Sequence, residues 1–478
     1  MNNELNILFI KKMSYIKKNY FFISSLILLS LVLRFYNLNL DDLWLDELAS
    51  LWVADPNISL SETLERNIEI NIGSHLVFTI ILKYFFLLFG YDPNIARFVP
   101  LFFGIISVPL IIYLTKIISK NSSWLLVGFL ISINYYSISY SQELRSYSLI
   151  FFLSLLNLIF FLKILDKKNF LYNVLFYLTS LIAAINHIFI FIILFSQILF
   201  LFIFYRADKK IFVLINFNIL AIFISYLLFM HDSLLTQMAI KEFWIEQVKI
   251  DFFINYYFSR FFGSKIMGLI YLSILFYLLW GGKKILLNHS NKLVLFLLIL
   301  INSYFLPIIY GLISRPILTD RYIIFVLIPI FILISVLIFK LENKKTKKII
   351  LIILIISTLA NNYIEIFERK NTKPEFKKSI LFIKDTNSQN LMLSDNSNLI
   401  NNLISNYIKL ITVKNSEFKF HSNLDNSSLE SIWVMCYLPT TAFTCDKPLV
   451  LNGDFVRKRG VKFNLIKLEL YEVINNLD

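Results

Sequence analysis

Leu43-Trp44-Leu45-Asp46-Glu47-Leu48-Ala49-Ser50-Leu51-Trp52 sets two adjacent carboxylates between two tryptophans, just past the first apolar segment of the chain. Indole rings favour the boundary between lipid and water, so this pattern puts Asp46 and Glu47 at that boundary. Two readings follow. A carboxylate at the edge of a membrane can act as a general base on a substrate. Alternatively, the pair supports the N-terminus of a surface helix through the helix dipole. Adjacent residues on a helix or turn diverge, so the two acids are not expected to share one cavity.

Around this stretch the chain is written for lipid. Of its 478 residues, 57% are hydrophobic and 17% aromatic, which excludes an ordinary water-soluble globule. A formal charge of +14 raises the question of nucleic acid, but the lysines form short clusters between apolar runs and make no continuous basic face. Their distribution is a topology signal, and nucleic acid is not an expected partner. Lys11, Lys12, Lys17 and Lys18 precede an apolar run over 21–33; no small-residue cleavage site follows, and Arg34 and Asn37 come next. This reads as a retained anchor with a cytoplasmic N-terminus. Cys436 and Cys445 are the two cysteines, expected as a short-loop disulfide outside the cytoplasm or as two thiols. No His and Cys spacing suggests zinc.

With the basic N-terminus inside, the basic clusters define about eleven spans, over 20–36, 98–118, 124–140, 146–165, 170–186, 188–205, 211–230, 265–280, 293–313, 322–339 and 349–360. The fold class expected is an α-helical polytopic membrane protein with a small C-terminal α/β domain outside the cytoplasm. Its membrane domain would cover 1–361, with external loops at 37–97 and 231–264, and the soluble domain 362–478. The apolar run at 75–89 is short and reads as a helix on the outer surface or one that dips in and returns. In the second loop Trp244, Val248, Phe252 and Tyr256 recur every four residues, opposite Glu242, Glu246 and Lys249, as in an interfacial helix that is either a lid or passive. In the soluble domain, 375–383 has helical character, and 431–437 and 463–473 read as strands.

In this register Asp46, Glu47, Glu143, Arg145, His187, Asp320 and Arg321 all fall on the outer face, although they are far apart in sequence. Ionisable side chains at the bilayer centre cost about 2.5–3.5 kcal/mol each and persist mostly where they pair or work. One outward-facing polar cavity accounts for all of them.

Leu43-Trp44-Leu45-Asp46-Glu47, followed by Tyr140-Ser141-Gln142-Glu143-Leu144-Arg145-Ser146-Tyr147, resembles the signature of the GT-C membrane glycosyltransferases. Within these it is most similar to the bacterial relatives of the dolichyl-phosphate-mannose protein mannosyltransferases and of the aminoarabinose lipid A transferase. Leu88-Phe89-Gly90 leading to Ala96-Arg97-Phe98, Asn186-His187, and Asp320-Arg321-Tyr322 with Pro329 extend the match across about 34–341. One departure stands at Gly73-Ser74-His75-Leu76-Val77, where the family carries a His-Pro-Pro-Leu-like stretch. The two prolines are missing, on the acceptor side.

The resemblance implies transfer of a sugar from a polyprenyl-phosphate donor to a lipid, glycan or protein acceptor, in the cell (inner) membrane and among its lipids. It implies Asp46 as the base, with Glu47 as a second catalytic acid or else a cap or an arginine's partner. Glu143 would orient the acceptor or help hold a divalent metal, or else pair with Arg145. Arg145 and Arg321 suit a phosphate because guanidinium forks bind oxyanions at two points; their alternative is an interfacial charge that snorkels. Arg97 and His187 complete the expected phosphate ligands, and His75 is read as structural. No organic cofactor is implied. Two other functions fit a charged cavity: a flippase or transporter of lipid-linked glycans, which would place polar groups at mid-membrane, and a non-catalytic envelope assembly protein.

Overall fold

The computed structural model describes residues 2–71, 74–239, 245, 260–282, 291–386, 388–394, 397–412, 419–421, 430–438 and 455–473. Backbone surrounded by lipid must satisfy its own hydrogen bonds, and the apolar part of the chain is accordingly helical. In order come α1 (Asn2–Phe35), α2 (Leu45–Val53), α3 (Leu60–Asn71), α4 (Leu76–Phe89), α5 (Pro93–Ala96), α6 (Phe98–Ile118), α7 (Ser123–Ile133), α8 (Tyr135–Ser141), α9 (Tyr147–Lys167), α10 (Phe170–Asn186), α11 (Ile190–Phe204), α12 (Lys209–Phe229) and α13 (His231–Ala239). After these stand α14 (Lys265–Gly281), α15 (Asn291–Ile313), a 3-10 turn (Arg321–Val326) leading into α16 (Leu327–Lys340), and α17 (Lys344–Asn362). The C-terminal part holds α18 (Phe376–Lys384), α19 (Asn398–Ile411) and five strands: β1 (Asn390–Leu393), β2 (Lys419–His421), β3 (Ser431–Tyr437), β4 (Phe455–Phe463) and β5 (Ile466–Val473).

Among the described residues six helical stretches are long and apolar enough to cross a membrane, and the remaining expected spans fall on shorter apolar helices. At 14 residues α4 would reach only about 21 Å, short of a bilayer core. Residues 242, 244, 246, 248, 249, 252 and 256, which carry the expected interfacial helix, lie outside the described residues, as does Cys445. Cys436 is buried in β3.

The chain forms two compact units, and their boundaries differ from the expected 1–361 and 362–478. The first comprises 1–36, 67–78 and 98–369; the second comprises 37–66, 79–97 and 370–478. Most of the loop at 37–97, expected to be external, therefore belongs with the C-terminal segment. The reason lies in local polar contacts. Asp42 accepts from the backbone N–H groups of Lys377 (3.1 Å) and Lys378 (3.4 Å), in the first turn of α18, and Asp41 accepts from Thr372 N–H at 3.0 Å.

In the first unit α16 is central, with every residue from Leu327 to Ile338 buried. A helix apolar on all sides belongs there. The outer face of α12 instead leaves Phe217, Leu228 and Phe229 exposed, as lipid contact requires. Polar side chains join the helices inside: Asn157 on α9 donates to Ser180 on α10 (2.7 Å) and accepts from Gln197 on α11 (2.7 Å), and Asn302 on α15 donates to Ser196 on α11 (3.0 Å).

The span expected over 124–140 is not one helix. It breaks at Asn134, whose side chain accepts from Ser137 N–H (2.8 Å) to start α8 and donates to the Phe261 carbonyl (3.0 Å). The last carbonyls of α7 lose their intrahelical donors and find side chains instead. Arg34, fully buried at the end of α1, donates to the carbonyls of Ile131 (3.3 Å) and Ser132 (3.1 Å), and Asn362 donates to Ile133 (2.6 Å). The same guanidinium donates to Ser30, Ser137 and Ser141. A Cβ added at Gly104 would lie 2.1 Å from Ser141 Oγ and 3.1 Å from Arg34 Nε, so this junction needs glycine there.

The second unit is an α/β domain with strand order β2-β1-β3-β5-β4. β1 runs parallel to β2 and β3, whereas β5 is antiparallel to β3 and β4. Met392, Ile432, Val434 and Tyr471 form a core on which Phe455 packs, and α2 packs on α19. The strand expected over 463–473 forms as β5 from Ile466 to Val473; only its first residues differ, since Phe463 ends β4 and Leu465 turns with φ 56° before β5 begins.

Replacing Arg34 with methionine leaves the carbonyls of Ile131 and Ser132 without their donor, at about 1–3 kcal/mol for each unsatisfied group. Gly104→Ala strains the same junction by about 1–3 kcal/mol. Both variants are expected to lower the melting temperature of the detergent-solubilised protein, Arg34→Met the more; an unchanged melting curve for Arg34→Met would refute this account of the break.

Candidate active site

In the first unit, the segment between α8 and α9 carries Glu143 and Arg145, and its position follows from the end of α1. Gln142 donates to the carbonyls of Arg34 (2.9 Å) and Tyr36 (2.7 Å) and accepts from Arg369 (2.8 Å). With Gln142 pinned, Glu143, Leu144 and Arg145 turn inward and are all buried, the Arg145 N–H donating to the Glu143 carbonyl at 2.7 Å. Tyr140, one turn earlier, lies within electrostatic reach of Glu143, Asp320 and Arg321.

His187 sits in the turn between α10 and α11. Its Nδ1 accepts from Phe189 N–H (3.3 Å), which leaves the proton of a neutral ring on Nε2. Its ring meets Tyr322 edge-on at 4.8 Å and His75 at 5.7 Å. His75 in turn contacts Tyr147 at 5.8 Å and is hydrogen-bonded through Nδ1 to Ser146 Oγ. The Arg321 guanidinium lies 5.9 Å from the Tyr147 ring and 5.9 Å from the Tyr322 ring. Asn186 locks this arrangement to α4: its carbonyl accepts from His75 N–H (2.9 Å), and its side chain accepts from Phe78 N–H (3.2 Å), capping the helix from outside.

These contacts bring together the starts of α4, α9, α11 and the turn that opens α16. Each helix start carries a partial positive charge. Ser146, Phe189 and Asp320 stand at three of these starts, and none makes a side-chain cap to its own helix. Arg145 and Arg321 lie within electrostatic reach of both histidines. Burial first, and then the two arginines, push His187 down to about 3. Burial, Arg145, His187 and Arg321 hold His75 well below the usual imidazole range. Both rings are therefore neutral at physiological pH and serve as hydrogen-bonding groups. Chemically, the cluster offers an oxyanion two guanidinium forks, two imidazoles and helix-start dipoles, with the carboxylates of Glu143 and Asp320 in the same neighbourhood.

The sequence groups Asp46, Glu47, Glu143, Arg145, His187, Asp320 and Arg321; the first unit brings the last five into one electrostatic neighbourhood, whereas Asp46 and Glu47 belong to the second unit. Sequence reasoning leaves His75 as structural. The signal available was its position immediately before an apolar helix, where the resembling family also carries a histidine.

In the second unit Asp46 and Glu47 occupy the first turn of α2 and diverge as expected. Asp46 is half-buried, within electrostatic reach of Tyr437 at the end of β3. Glu47 is fully buried and takes both arms of Arg97, at 2.9 Å each. Arg97 also donates to the carbonyls of Leu38 (3.0 Å), Asp41 (2.8 Å) and Asp42 (3.4 Å). Glu47 and Arg97, expected as a second catalytic acid and a phosphate ligand, are thus each other's partners, and together they hold the turn that leads into α2. Glu47 Oε2 also lies 3.4 Å from the Trp44 N–H, so the cap reading is met as well. Among the described residues no three of His, Cys, Asp and Glu are grouped so as to hold a metal ion.

Breaking this buried pair by Glu47→Gln leaves Arg97 uncompensated and is expected to cost about 3–5 kcal/mol. Thermal unfolding of the variant checks this; Glu47→Gln/Arg97→Met is expected to recover part of the loss. His187 generates a second expectation. Its folded value lies below its ordinary 6.5, so the stability it contributes is complete above about 6.5 and is lost as pH falls towards 3. The melting temperature should decline as pH falls from about 6.5 to about 5, because protons that the unfolded imidazole binds are refused by the folded one. His187→Gln should flatten that decline.

No protein-family model matches the chain, and no curated protein sequence does. Solved structures do. The crystal structure of ArnT from Cupriavidus metallidurans in the apo state superposes with a TM-score of 0.51 at 12% identity, over 77% of this chain and 69% of that one. The Archaeoglobus fulgidus oligosaccharyltransferase, in complex with zinc and sulfate, gives a TM-score of 0.45 at 12% identity, over 77% of this chain and 55% of that one. The likeness to ArnT is one of fold, and the fold is that of a GT-C-type polytopic helical membrane protein with a small C-terminal α/β domain.

Proposed function

We propose that the protein is a membrane glycosyltransferase that moves a sugar from a polyprenyl-phosphate donor to an acceptor hydroxyl on the outer face of the cell (inner) membrane. The observation that supports this best is the meeting of Arg145, Arg321, His75 and His187 with four helix starts. Such a centre favours a phosphate, and in glycosyl transfer the phosphate is where negative charge grows as the sugar departs. Glycosyl transfer onto a hydroxyl also needs a base, and this reading assigns the proton to Asp46. Glu143 orients the acceptor by accepting a hydrogen bond. Arg145 and Arg321 hold the leaving phosphate, with His187 donating from Nε2. Glu47 and Arg97 act indirectly, by fixing the turn that carries Asp46. The N-terminus is cytoplasmic in this reading, and the α/β domain lies outside.

Purified protein in lipid nanodiscs, given polyprenyl-phosphate sugars and candidate acceptors, tests the reading by mass spectrometry of the products. Asp46→Asn is expected to lower turnover by about 10² to 10⁴-fold, the range for general-base assistance. Arg145→Ala and Arg321→Ala are each expected to raise KM for the donor by about tenfold or more, since hydrogen bonds to charged groups contribute about 1.5–3 kcal/mol. Full activity in Asp46→Asn would remove Asp46 from the reaction.

A further inference from the structure

We propose that His75 is a further anion-binding residue, which the Ser146 hydroxyl holds so that its Nε2–H donates to the phosphate of the donor lipid. This rests on the lipid-phosphate reading above and adds a ligand to it.

Three features of His75 exceed what a core histidine needs. It adopts φ 64°, in the left-handed region that residues with a Cβ avoid, and it does so directly before a helix that any extended residue would start equally well. Its backbone is tied down in that conformation by the Asn186 carbonyl, and Ser74 beside it accepts from Asn67 at 3.1 Å. Its ring then reaches Ser146, the residue at the start of α9 whose side chain makes no cap to its own helix. A serine ordinarily caps there. Here the hydroxyl is directed to an imidazole on another helix.

The hydrogen-bond arithmetic decides what the ring offers. A neutral imidazole has one donor and one acceptor nitrogen. When the Ser146 hydroxyl donates to Nδ1, the ring proton is on Nε2, the tautomer that the Phe189 N–H also selects in His187. Two histidines 5.7 Å apart thus present Nε2–H donors in the electrostatic neighbourhood of Arg145 and Arg321. Neutral donors add hydrogen bonds for an oxyanion without adding like charge beside the two guanidinium groups, so a third or fourth ligand is gained with no further repulsion between ligands.

Binding of polyprenyl phosphate, with polyprenyl alcohol as the phosphate-free control, would be measured on the full-length protein in nanodiscs. His75→Leu is expected to weaken polyprenyl-phosphate binding about tenfold, equivalent to about 1.4 kcal/mol, and to leave polyprenyl-alcohol binding unchanged. His75→Gln retains an N–H donor and should stay within about threefold of the parent, a rescue that a packing role would not produce. Ser146→Ala should fall between the two. In turnover assays the His75→Leu defect should appear in KM for the donor. Equal binding of polyprenyl phosphate by the parent and His75→Leu overturns the role of His75 and leaves the donor reading standing. If His75→Leu does not fold, a His75→Gln protein that has lost phosphate preference overturns it in the same way. A parent protein that binds the phosphate and the alcohol equally overturns the donor reading and this inference with it.

Discussion

A helix that stops inside an apolar slab leaves carbonyl groups that no water can reach, and the membrane unit of this protein is built around one such stop. At Asn134 the chain turns out of α7 and into α8, and the exposed carbonyls are taken by Arg34 and Asn362. Arg34 has no described carboxylate among its hydrogen-bond partners; its charge is spread over two helix-end carbonyls and three hydroxyls. A cation suits that place because the C-terminal end of a helix is the negative end of its dipole. The arrangement holds the ends of α1, α7 and α8 at one junction, and the glycine at 104 lets α6 approach it.

The segment bearing Glu143 and Arg145 depends on that junction. Gln142 binds the carbonyls that α1 leaves open at Arg34 and Tyr36, so the helix end that supplies the buried cation also anchors the next loop. From there the starts of α4, α9, α11 and α16 meet through a chain of ring contacts: Tyr147 to His75, His75 to His187, and His187 to Tyr322. Aromatic edges and faces attract at these separations. They hold the helix starts together although each carries like partial charge, and the result is a centre in which Arg145 and Arg321 lie among the helix starts, with the carboxylates of Glu143 and Asp320 in the same neighbourhood. The second unit shows the opposite economy. Glu47 and Arg97 cancel each other in a buried two-point pair, which stiffens the approach to α2 and leaves Asp46, one residue earlier, on another face.

The apolar helices were legible in the sequence because lipid imposes one rule, apolar length between basic clusters, that needs no knowledge of the fold. Strand β3 and helix α18 were legible for a similar reason: Ser431–Tyr437 and Phe376–Lys384 carry their periodicities locally. Strand β4 was not, because Phe455–Phe463 holds Arg457, Lys458, Arg459 and Lys462 on an exposed edge, where burial imposes no alternation. The grouping of Arg145, His187 and Arg321 followed from one topological argument, that they end on one face.

Sequence by itself therefore determined which segments are helical in lipid, where the charged residues fall relative to them, and that Asp46 and Glu47 must part company on a turn. Tertiary structure alone decided that the loop at 37–66 joins the C-terminal domain, that Glu47 is bound by Arg97, that the span at 124–140 is broken, and that His75 stands among the arginines. The physical reason is common to all four. Hydrophobicity is additive along the chain and can be read residue by residue, whereas a buried hydrogen bond or ion pair depends on a partner tens to hundreds of positions away, and only the folded geometry says which partner arrives.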